Sequence, residues 1–262
     1  MNFIKNSLRR WYRGLPKTES GNPRWGLYFR RLVIRLVLWF FGITIGLTLL
    51  YRFIPVPCTP LMVIRWFEQA NDPDRETRWK KDWVSFEELS PRLQLAVVCA
   101  EDQEFLEHAG FDLQAIEKAY KHNKKGRRIR GASTISQQTA KNVFLWPARS
   151  WVRKGLEVYF TFLIEVLWSK ERIMTVYLNV IEFGDGIYGA EAASQHYFKK
   201  SAKDLNTEQA ALLAAVLPNP LKRNPAKPSG LVRNRKQWII AQMRMWGMKI
   251  DFDEPNTPRK VN

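Results

Sequence analysis

The sequence is poor in the side chains that build metal and redox sites. It has 2 cysteines and 3 histidines among 262 residues. Cys58 and Cys99 could pair in an oxidising compartment, but Cys99 lies in an apolar run and is typical of a small core residue. The sequence has no His-Glu-x-x-His pair and no Gly-x-x-x-x-Gly-Lys-Ser/Thr nucleotide loop. We therefore expect no protein-built metal site and no redox function.

Acidic residues are scarce as well. The 25 Asp and Glu residues face 42 Lys and Arg residues, which gives a net charge of +17. Such a charge indicates nucleic acid, an anionic membrane or a phosphorylated substrate as a partner. Residues 1–31 carry +7 and the chain beyond residue 54 carries +8, so basic residues flank one apolar segment on both sides.

That apolar segment lacks charged residues from 36 to 51 and extends over residues 32–54 apart from Arg35 and Arg52. Its length matches a bilayer core, and long cationic side chains near the ends can reach the headgroups. A cleaved signal peptide and a buried helix are the alternatives, but no small-x-small cleavage pattern follows. We predict a transmembrane helix over residues 32–54.

The basic flank also predicts the orientation of the chain. By the positive-inside rule, residues 1–31 form a cytoplasmic tail and residues 55–262 form one extracytoplasmic domain. Nucleic acid is then not expected as a partner, because the second basic region lies on the other side of the membrane.

Beyond residue 86, apolar residues repeat at helical spacing and no alternating strand is evident. The sequence therefore predicts a mainly α-helical domain. Ser169 and the Asn206–Gln209 pair are typical helix starts, and Pro147 fits the first turn of a helix.

The first candidate site is an acidic block from Glu101 to Asp112. If this block is helical, Glu101, Phe105, His108 and Asp112 share one face. An acid at the end of an apolar helix is well placed to have a raised pKa, as a general base needs near neutral pH. An ordinary solvated acidic turn is the alternative.

The second candidate site runs from Gly131 to Asn142. Ser133 or Thr134 can cap a helix whose first N–H groups attract an anion, with Gln138 and Lys141 on the same face as Thr134. This pattern fits a phosphate-binding helix, although capped surface helices are common.

The third candidate site combines Arg149, Arg153 and Glu157 at intervals of four, with Lys154 beside them. Two guanidinium groups and a carboxylate on one helical stripe can hold a pyrophosphate, or they can form surface ion pairs of little energy. The spacing alone leaves both interpretations open. Glu165, farther along the same apolar helix, is expected to be a buried structural partner for a polar group.

These blocks, in this order and spacing, resemble the peptidoglycan glycosyltransferase family, which occurs alone and in class A penicillin-binding proteins. The resemblance rests on Glu101–Asp112, Gly131–Asn142, Arg153–Glu157, Tyr177-Leu178-Asn179 and 184–198. It departs from the family pattern at Ala132, where a second Gly is frequent, and at Met174-Thr175, where Leu-Glu is frequent. The resemblance implies a mainly α-helical, lysozyme-like fold with a lipid-facing apolar portion.

The resemblance also implies a reaction. Glu101 is the expected general base, which takes the proton of the acceptor sugar's 4-hydroxyl while that oxygen attacks the anomeric carbon of the growing chain. The product is a β-1,4-linked glycan made from lipid II, with inversion and release of undecaprenyl pyrophosphate. Glu157 is the second expected catalytic carboxylate. The expected substrate-binding residues are Thr134, Gln138, Lys141, Asn142, Arg149, Arg153 and Lys154.

The same resemblance sets expectations for cofactors and partners. No built-in cofactor is expected, but Mg²⁺ or Mn²⁺ could accompany the pyrophosphate. Lipid II, the growing glycan strand and the cytoplasmic membrane are the expected partners, with cell-division or wall-synthesis proteins as further candidates. The location would be the bacterial inner membrane, with the catalytic domain in the periplasm. The sequence has no Ser-x-x-Lys or Lys-Thr-Gly motif, so the monofunctional form without a transpeptidase is expected.

Two other functions remain in competition. A lytic enzyme that cleaves glycan could use one catalytic Glu on a lysozyme-like fold, but it needs no cationic pyrophosphate site. A membrane-anchored scaffold could use the basic surface to bind anionic lipid without any catalysis.

Overall fold

The mainly helical fold class with an N-terminal apolar helix is confirmed by a computed structural model, which describes residues 25–124, 126, 131–148, 150–248 and 250–252. The chain divides into two compact units, Met1–Leu50 and Tyr51–Asn262. The described helices are α1 (Trp25–Phe53), α2 (Pro60–Ala70), α3 (Pro91–Glu101), α4 (Leu113–Asn123), α5 (Ile135–Phe144), α6 (Trp151–Leu167), α7 (Lys170–Val180), α8 (Ala190–Phe198), α9 (Thr207–Val216) and α10 (Gly230–Met245).

Helix α1 is long and apolar enough to cross a membrane over Gly26–Phe53. It begins before residue 32, where the apolar pattern predicted its start. The Thr44 and Thr48 hydroxyls donate to the carbonyls of Phe40 and Thr44, each at 2.7 Å. These bonds satisfy both hydroxyls within the helix, as an apolar surrounding requires.

The second unit contains two groups of packed helices. In one, the alanine-rich helix α9 packs against α3 and α10. Its buried residues come from most sides of the helix, because small side chains let neighbouring backbones approach closely. In the other group, α5 packs against α6 and α7. The polar residues at the end of α3 and along α5 lie where the two groups meet.

Three short strands were not anticipated from the sequence. They are β1 (Lys80–Lys81), β2 (Glu182–Gly184) and β3 (Ile187–Tyr188), in the order β1-β3-β2. β1 is parallel to β3, and β2 is antiparallel to it. An alternating pattern could not reveal them because each has only two or three residues and both β2 and β3 are wholly buried.

Most of the predicted helix boundaries are confirmed. Ser169 accepts a hydrogen bond from Arg172 N, and Asn206 with Gln209 forms a capping box at the start of α9. The first-turn position predicted for Pro147 is wrong, because α6 begins at Trp151 behind the cap Ser150.

Of the two interpretations of the block from Glu101 to Asp112, the helical stripe is wrong. Helix α3 ends at Glu101, and Asp102 leaves the helical conformation with φ −162° and ψ 81°. The residues that follow form turns, with Phe105 fully buried. Asp112 instead accepts a hydrogen bond from Ala115 N at 2.7 Å and caps α4. The acidic block is therefore a folded loop, and its side chains do not share a helix face.

The backbone conformation of this loop depends on a glycine. Gly110 has φ +84°, and a Cβ there would lie 2.8 Å from Thr161 Cγ2 and 2.9 Å from Glu165 Cγ. We expect Gly110→Ala to lower the free energy of unfolding by about 1–3 kcal/mol, through left-handed backbone strain and the clash. Gly155→Ala is the matched control. Gly155 is an exposed position of α6, and nothing lies within 4 Å of the methyl group that the substitution adds.

Thermal and denaturant unfolding of the detergent-solubilised protein would measure both changes. Gly155→Ala should be stabilising by about 0.5–1 kcal/mol, because alanine loses less backbone entropy in a helix. Equal stability of the two variants would contradict the role given to Gly110.

Candidate active site

Glu101, the last residue of α3, has a side chain that is only 14% exposed. Gln138 Nε2 donates a hydrogen bond to its Oε2 at 3.1 Å, and Arg235 Nη2 lies 3.4 Å from its Oε1. Burial raises the pKa of Glu101, and these contacts with Gln138 and Arg235 offset part of the rise. A carboxylate with a raised pKa and a solvent opening has the properties of a general base.

The amide of Gln138 is itself held in place. The Tyr177 hydroxyl lies 3.3 Å from Gln138 Oε1 and donates to it. Complete burial raises the pKa of Tyr177 well above its usual value, so the hydroxyl remains a donor. Tyr177 on α7 and Gln138 on α5 thereby fix the N–H group that points at the Glu101 carboxylate.

The buried carboxylate of Asp102 joins the end of α3 to the start of α5. It accepts a hydrogen bond from Ile135 N at 2.9 Å and another from His108 Nε2. Gly110 N donates to His108 Nδ1 at 3.0 Å, so the proton of the neutral ring is on Nε2. The first N–H of α5 therefore binds the protein's own anion, and not the external phosphate that one of the two interpretations of the sequence placed there.

Thr134 is the cap of α5. Its hydroxyl donates to Gly110 O at 2.7 Å and accepts from Gln137 N, and the residue is only 2% exposed. Thr134 lies beside Glu101 in the lining of a cavity of about 250 Å³, which we call the acid cavity. Because both hydroxyl contacts are internal, the geometry favours a positioning role for Thr134 over contact with a ligand.

A larger cavity lies at the other end of α5. Its volume is about 540 Å³, within the range of small-molecule sites, and we call it the cationic cavity. Its lining is Leu61, Arg65, Lys141, Asn142, Leu145, Trp146, Pro147, Ala148 and Arg153. Three side chains in this lining are cationic and none is acidic.

Lys141 is the cation of this cavity without a partner in the described part of the chain: no hydrogen bond or ion pair to its Nζ is formed there. Burial lowers the pKa of Lys141, and the carboxylates of Glu157 and Glu101 offset part of the fall. Asn142 Nδ2 is also buried with no described partner. These donors favour an anionic ligand rich in oxygen acceptors.

Glu157 binds two further cations, Arg153 and Lys154, of which Arg153 lines the cavity. Arg153 Nη1 donates to its Oε2 at 2.8 Å, and Lys154 donates to its Oε1. Glu157 is only 3% exposed, whereas Arg153 lines the cavity and its Nε is buried without a described partner. With both oxygens engaged, Glu157 is placed to position Arg153 and Lys154 and not to accept a proton.

The remaining residues of the third block have different outcomes. Arg149 lies outside the described residues. Glu165 is a structural partner, as expected, because it accepts hydrogen bonds from Ser136 Oγ and from Lys170 Nζ.

Cys58 and Cys99 are both free, the first exposed and the second buried.

Arg235 is the site residue that the sequence did not reveal. It lies on α10, and besides Glu101 it contacts Ala100 O at 3.1 Å. The spacing of Trp238, Ile239 and Met243 indicates only an amphipathic packing helix. The available signal was a charged residue four positions before buried Ile239 on the packed side of that helix.

The comparisons with known proteins agree with this geometry. Residues 69–244 match the description "Transglycosylase". This chain belongs to the transglycosylase family. The biosynthetic peptidoglycan transglycosylase of Cronobacter sakazakii is 56% identical over 218 residues, covering 83% of this chain and 90% of that protein. The protein of the same name from Bdellovibrio bacteriovorus is 58% identical over 216 residues, covering 80% and 84%.

In the described ranges, no group of three or more His, Cys, Asp or Glu side chains could hold a metal ion. A divalent cation in the cationic cavity would depend on oxygens supplied by a ligand, because the described lining has no carboxylate.

The Arg235 contact predicts the pH dependence of the transglycosylase. Glu101 must be ionised to act as a base, and Arg235 favours the ionised form. Arg235→Gln should raise the pKa of Glu101 and move the acidic limb of kcat/KM to higher pH by about one unit, so activity falls more at low pH than at high pH.

Lys236→Gln is the matched control, because Lys236 pairs with exposed Glu208 and not with Glu101. The measurement is kcat/KM from pH 5 to 9 for both variants and the wild type. An acidic limb that stays in place in Arg235→Gln would refute the assignment.

Proposed function

We propose that this transglycosylase polymerises lipid II into β-1,4-linked glycan strands with release of undecaprenyl pyrophosphate, in peptidoglycan synthesis. The observation that carries the proposal is the pair of features along α5: a buried carboxylate near its start and unpaired cationic and amide donors at its end. The names of the relatives support peptidoglycan as the material.

Glu101 is the proposed general base. Its carboxylate accepts the proton of the acceptor sugar's 4-hydroxyl while that oxygen attacks the anomeric carbon of the donor and inverts it. The N–H of Gln138 keeps one oxygen oriented, and the raised pKa of Glu101 makes it a stronger base than a solvated carboxylate.

The leaving pyrophosphate occupies the cationic cavity in this proposal. Lys141 and Asn142 have N–H donors without partners among the described residues. An ion pair with Glu157 holds Arg153 at the cavity wall. As the bond to the sugar breaks, negative charge grows on the departing oxygen, and prepositioned cations in a dehydrated site stabilise that charge strongly. We retain Lys154 and Arg149 as further candidates for this task.

The cationic cavity also favours synthesis over the competing functions. A lytic enzyme acts on an uncharged glycosidic linkage and has no leaving anion to stabilise. A scaffold that binds lipid headgroups would present its cations on flat open surface, whereas Lys141 and Arg153 line one concave cavity together with a buried amide that has no described partner.

An exposed apolar stripe on α6 fits a lipid-linked substrate. Its main members are Trp151, Phe162 and Val166, which are 92%, 59% and 63% exposed. Their helix also carries Arg153 and Glu157. We propose that this face meets the outer leaflet of the bacterial inner membrane, where a prenyl tail can stay in lipid while its pyrophosphate enters the site.

The rest of the proposed setting follows from helix α1 and the charge distribution. The protein is anchored by one membrane span with its N-terminus in the cytoplasm and its catalytic domain in the periplasm. The growing glycan strand and wall-synthesis or cell-division proteins are proposed partners. No transpeptidase centre is proposed within these 262 residues, since neither Ser-x-x-Lys nor Lys-Thr-Gly occurs in them.

Polymerisation by purified variants tests the proposal. Full-length protein in detergent is incubated with labelled lipid-linked disaccharide pentapeptide, and polymer is separated from monomer on a gel. Glu101→Gln should reduce the rate by about 10²–10⁴-fold, because a general base is lost. Glu104→Gln is the control, an acid three residues away in the same loop, and it should retain activity.

The product identifies the reaction. Lysozyme-sensitive polymer from the wild type and the control, but not from Glu101→Gln, is the expected result. Cleavage of preformed glycan without polymer would support the lytic enzyme, and full activity of Glu101→Gln would exclude Glu101 as the base.

A further inference from the structure

One wall of the cationic cavity comes from α2, a helix that the functional blocks of the sequence did not include. Leu61 and Arg65 of α2 line the cavity together with Lys141, Asn142 and Arg153. Helix α2 packs against α5, which carries Lys141. The cavity is therefore bordered on one side by α2, and only a few residues of chain separate α2 from the end of α1.

Arg65 is held at this wall without using all of its donors. Its Nη1 donates to Glu68 Oε2 at 2.6 Å, and its Nε lies 3.6 Å from Glu182 Oε2, too far for a hydrogen bond. That Nε is buried and has no partner among the described residues. The side chain is 24% exposed, so it reaches the cavity and remains partly dehydrated.

A purely structural ion pair would explain these contacts poorly. Glu182 Oε1 and Tyr188 Oη are also buried without described partners. Burial raises the pKa of Glu182 to about 7 despite the nearby guanidinium. An ion pair retained only for stability is expected to satisfy its donors and acceptors, because each unpaired buried group costs free energy.

The charges of the other cations at the cavity leave a role for Arg65 in binding a pyrophosphate. Arg153 is paired with Glu157, as Arg65 is with Glu68, so a carboxylate neutralises part of the charge of each guanidinium, and Lys141 is a single point charge. The pyrophosphate of a lipid-linked sugar carries two negative charges and gains more on departure. A planar guanidinium can bind two phosphate oxygens at once, which an ammonium group cannot do in the same fixed geometry.

We propose that Arg65 is an additional binding residue for the donor's pyrophosphate, presented to the cationic cavity by the segment next to the membrane helix. The inference rests on the proposed function, since it assigns Arg65 to the same ligand. Lys141 and Arg65 bind the anion from α5 and α2, so the ligand bridges the two helices.

Equilibrium binding of farnesyl pyrophosphate, a short prenyl pyrophosphate, tests the inference without catalysis. The full-length protein in detergent is titrated calorimetrically at several salt concentrations. Arg65→Gln should weaken binding about tenfold, in the range for loss of one charged hydrogen bond, and Arg65→Lys should have an intermediate effect. With the lipid-linked substrate, kcat/KM should fall in the same order, mainly through KM.

Arg75→Gln is the matched control. Arg75 forms a comparable ion pair, 2.6 Å from Asp185, in the segment after α2 but outside the cavity lining. Its removal should leave the Kd for farnesyl pyrophosphate unchanged. Melting curves accompany every titration, which is performed well below the lowest Tm, so a loss of binding is separated from a loss of folding.

The outcomes separate this inference from the proposed function. If Lys141→Gln weakens binding but Arg65→Gln does not, Arg65 is only a structural ion pair, and the proposed pyrophosphate site stands. The inference is also overturned if Arg75→Gln weakens binding as much as Arg65→Gln. If wild-type protein does not bind the probe at all, both the pyrophosphate site and the role of Arg65 fail.

Discussion

The arrangement of the site depends on the buried carboxylate of Asp102. One oxygen receives the first N–H of α5, and the carboxylate also holds the His108 ring, while its backbone ends α3 one residue after Glu101. A buried charge is tolerated here because charge-assisted hydrogen bonds and the positive end of a helix dipole compensate for lost water. This joint fixes the end of α3 against the start of α5 and so helps to hold Glu101 next to Gln138, whose amide contacts it from α5.

Two opposite charges near this joint, those of Glu101 and Lys141, do not form an ion pair with each other among the described residues. The carboxylate of Glu101 is destabilised by burial and only partly compensated by Arg235. At the other end of α5, burial disfavours the charged form of Lys141. A full ion pair between them would remove the basicity of one and the anion affinity of the other. No ion pair joins them among the described residues, so each keeps a reactivity that an ordinary surface pair would lose.

Residues that act through local sequence patterns were predictable. Thr134 and Ser169 cap helices because their short side chains reach nearby N–H groups, and the Arg153–Glu157 pair follows from helical spacing. The helical interpretation of the segment after Glu101 is wrong, because Asp102 leaves the helix and accepts a hydrogen bond from Ile135 N, far along the chain. Arg235 and Arg65 were missed for a related reason: Glu101, which Arg235 contacts, and Lys141, which shares a cavity with Arg65, are distant in sequence, and no local period reports such proximity.

The rigid length of α5 has a consequence for inhibition. Its ten residues extend about 15 Å, and side-chain motion cannot bring its two ends together. A molecule that mimics only a diphosphate, or only a sugar, occupies one end and leaves the other free. A bridging molecule whose spacing matches the helix would lose translational freedom once for two binding contributions, and its affinity would depend sharply on linker length.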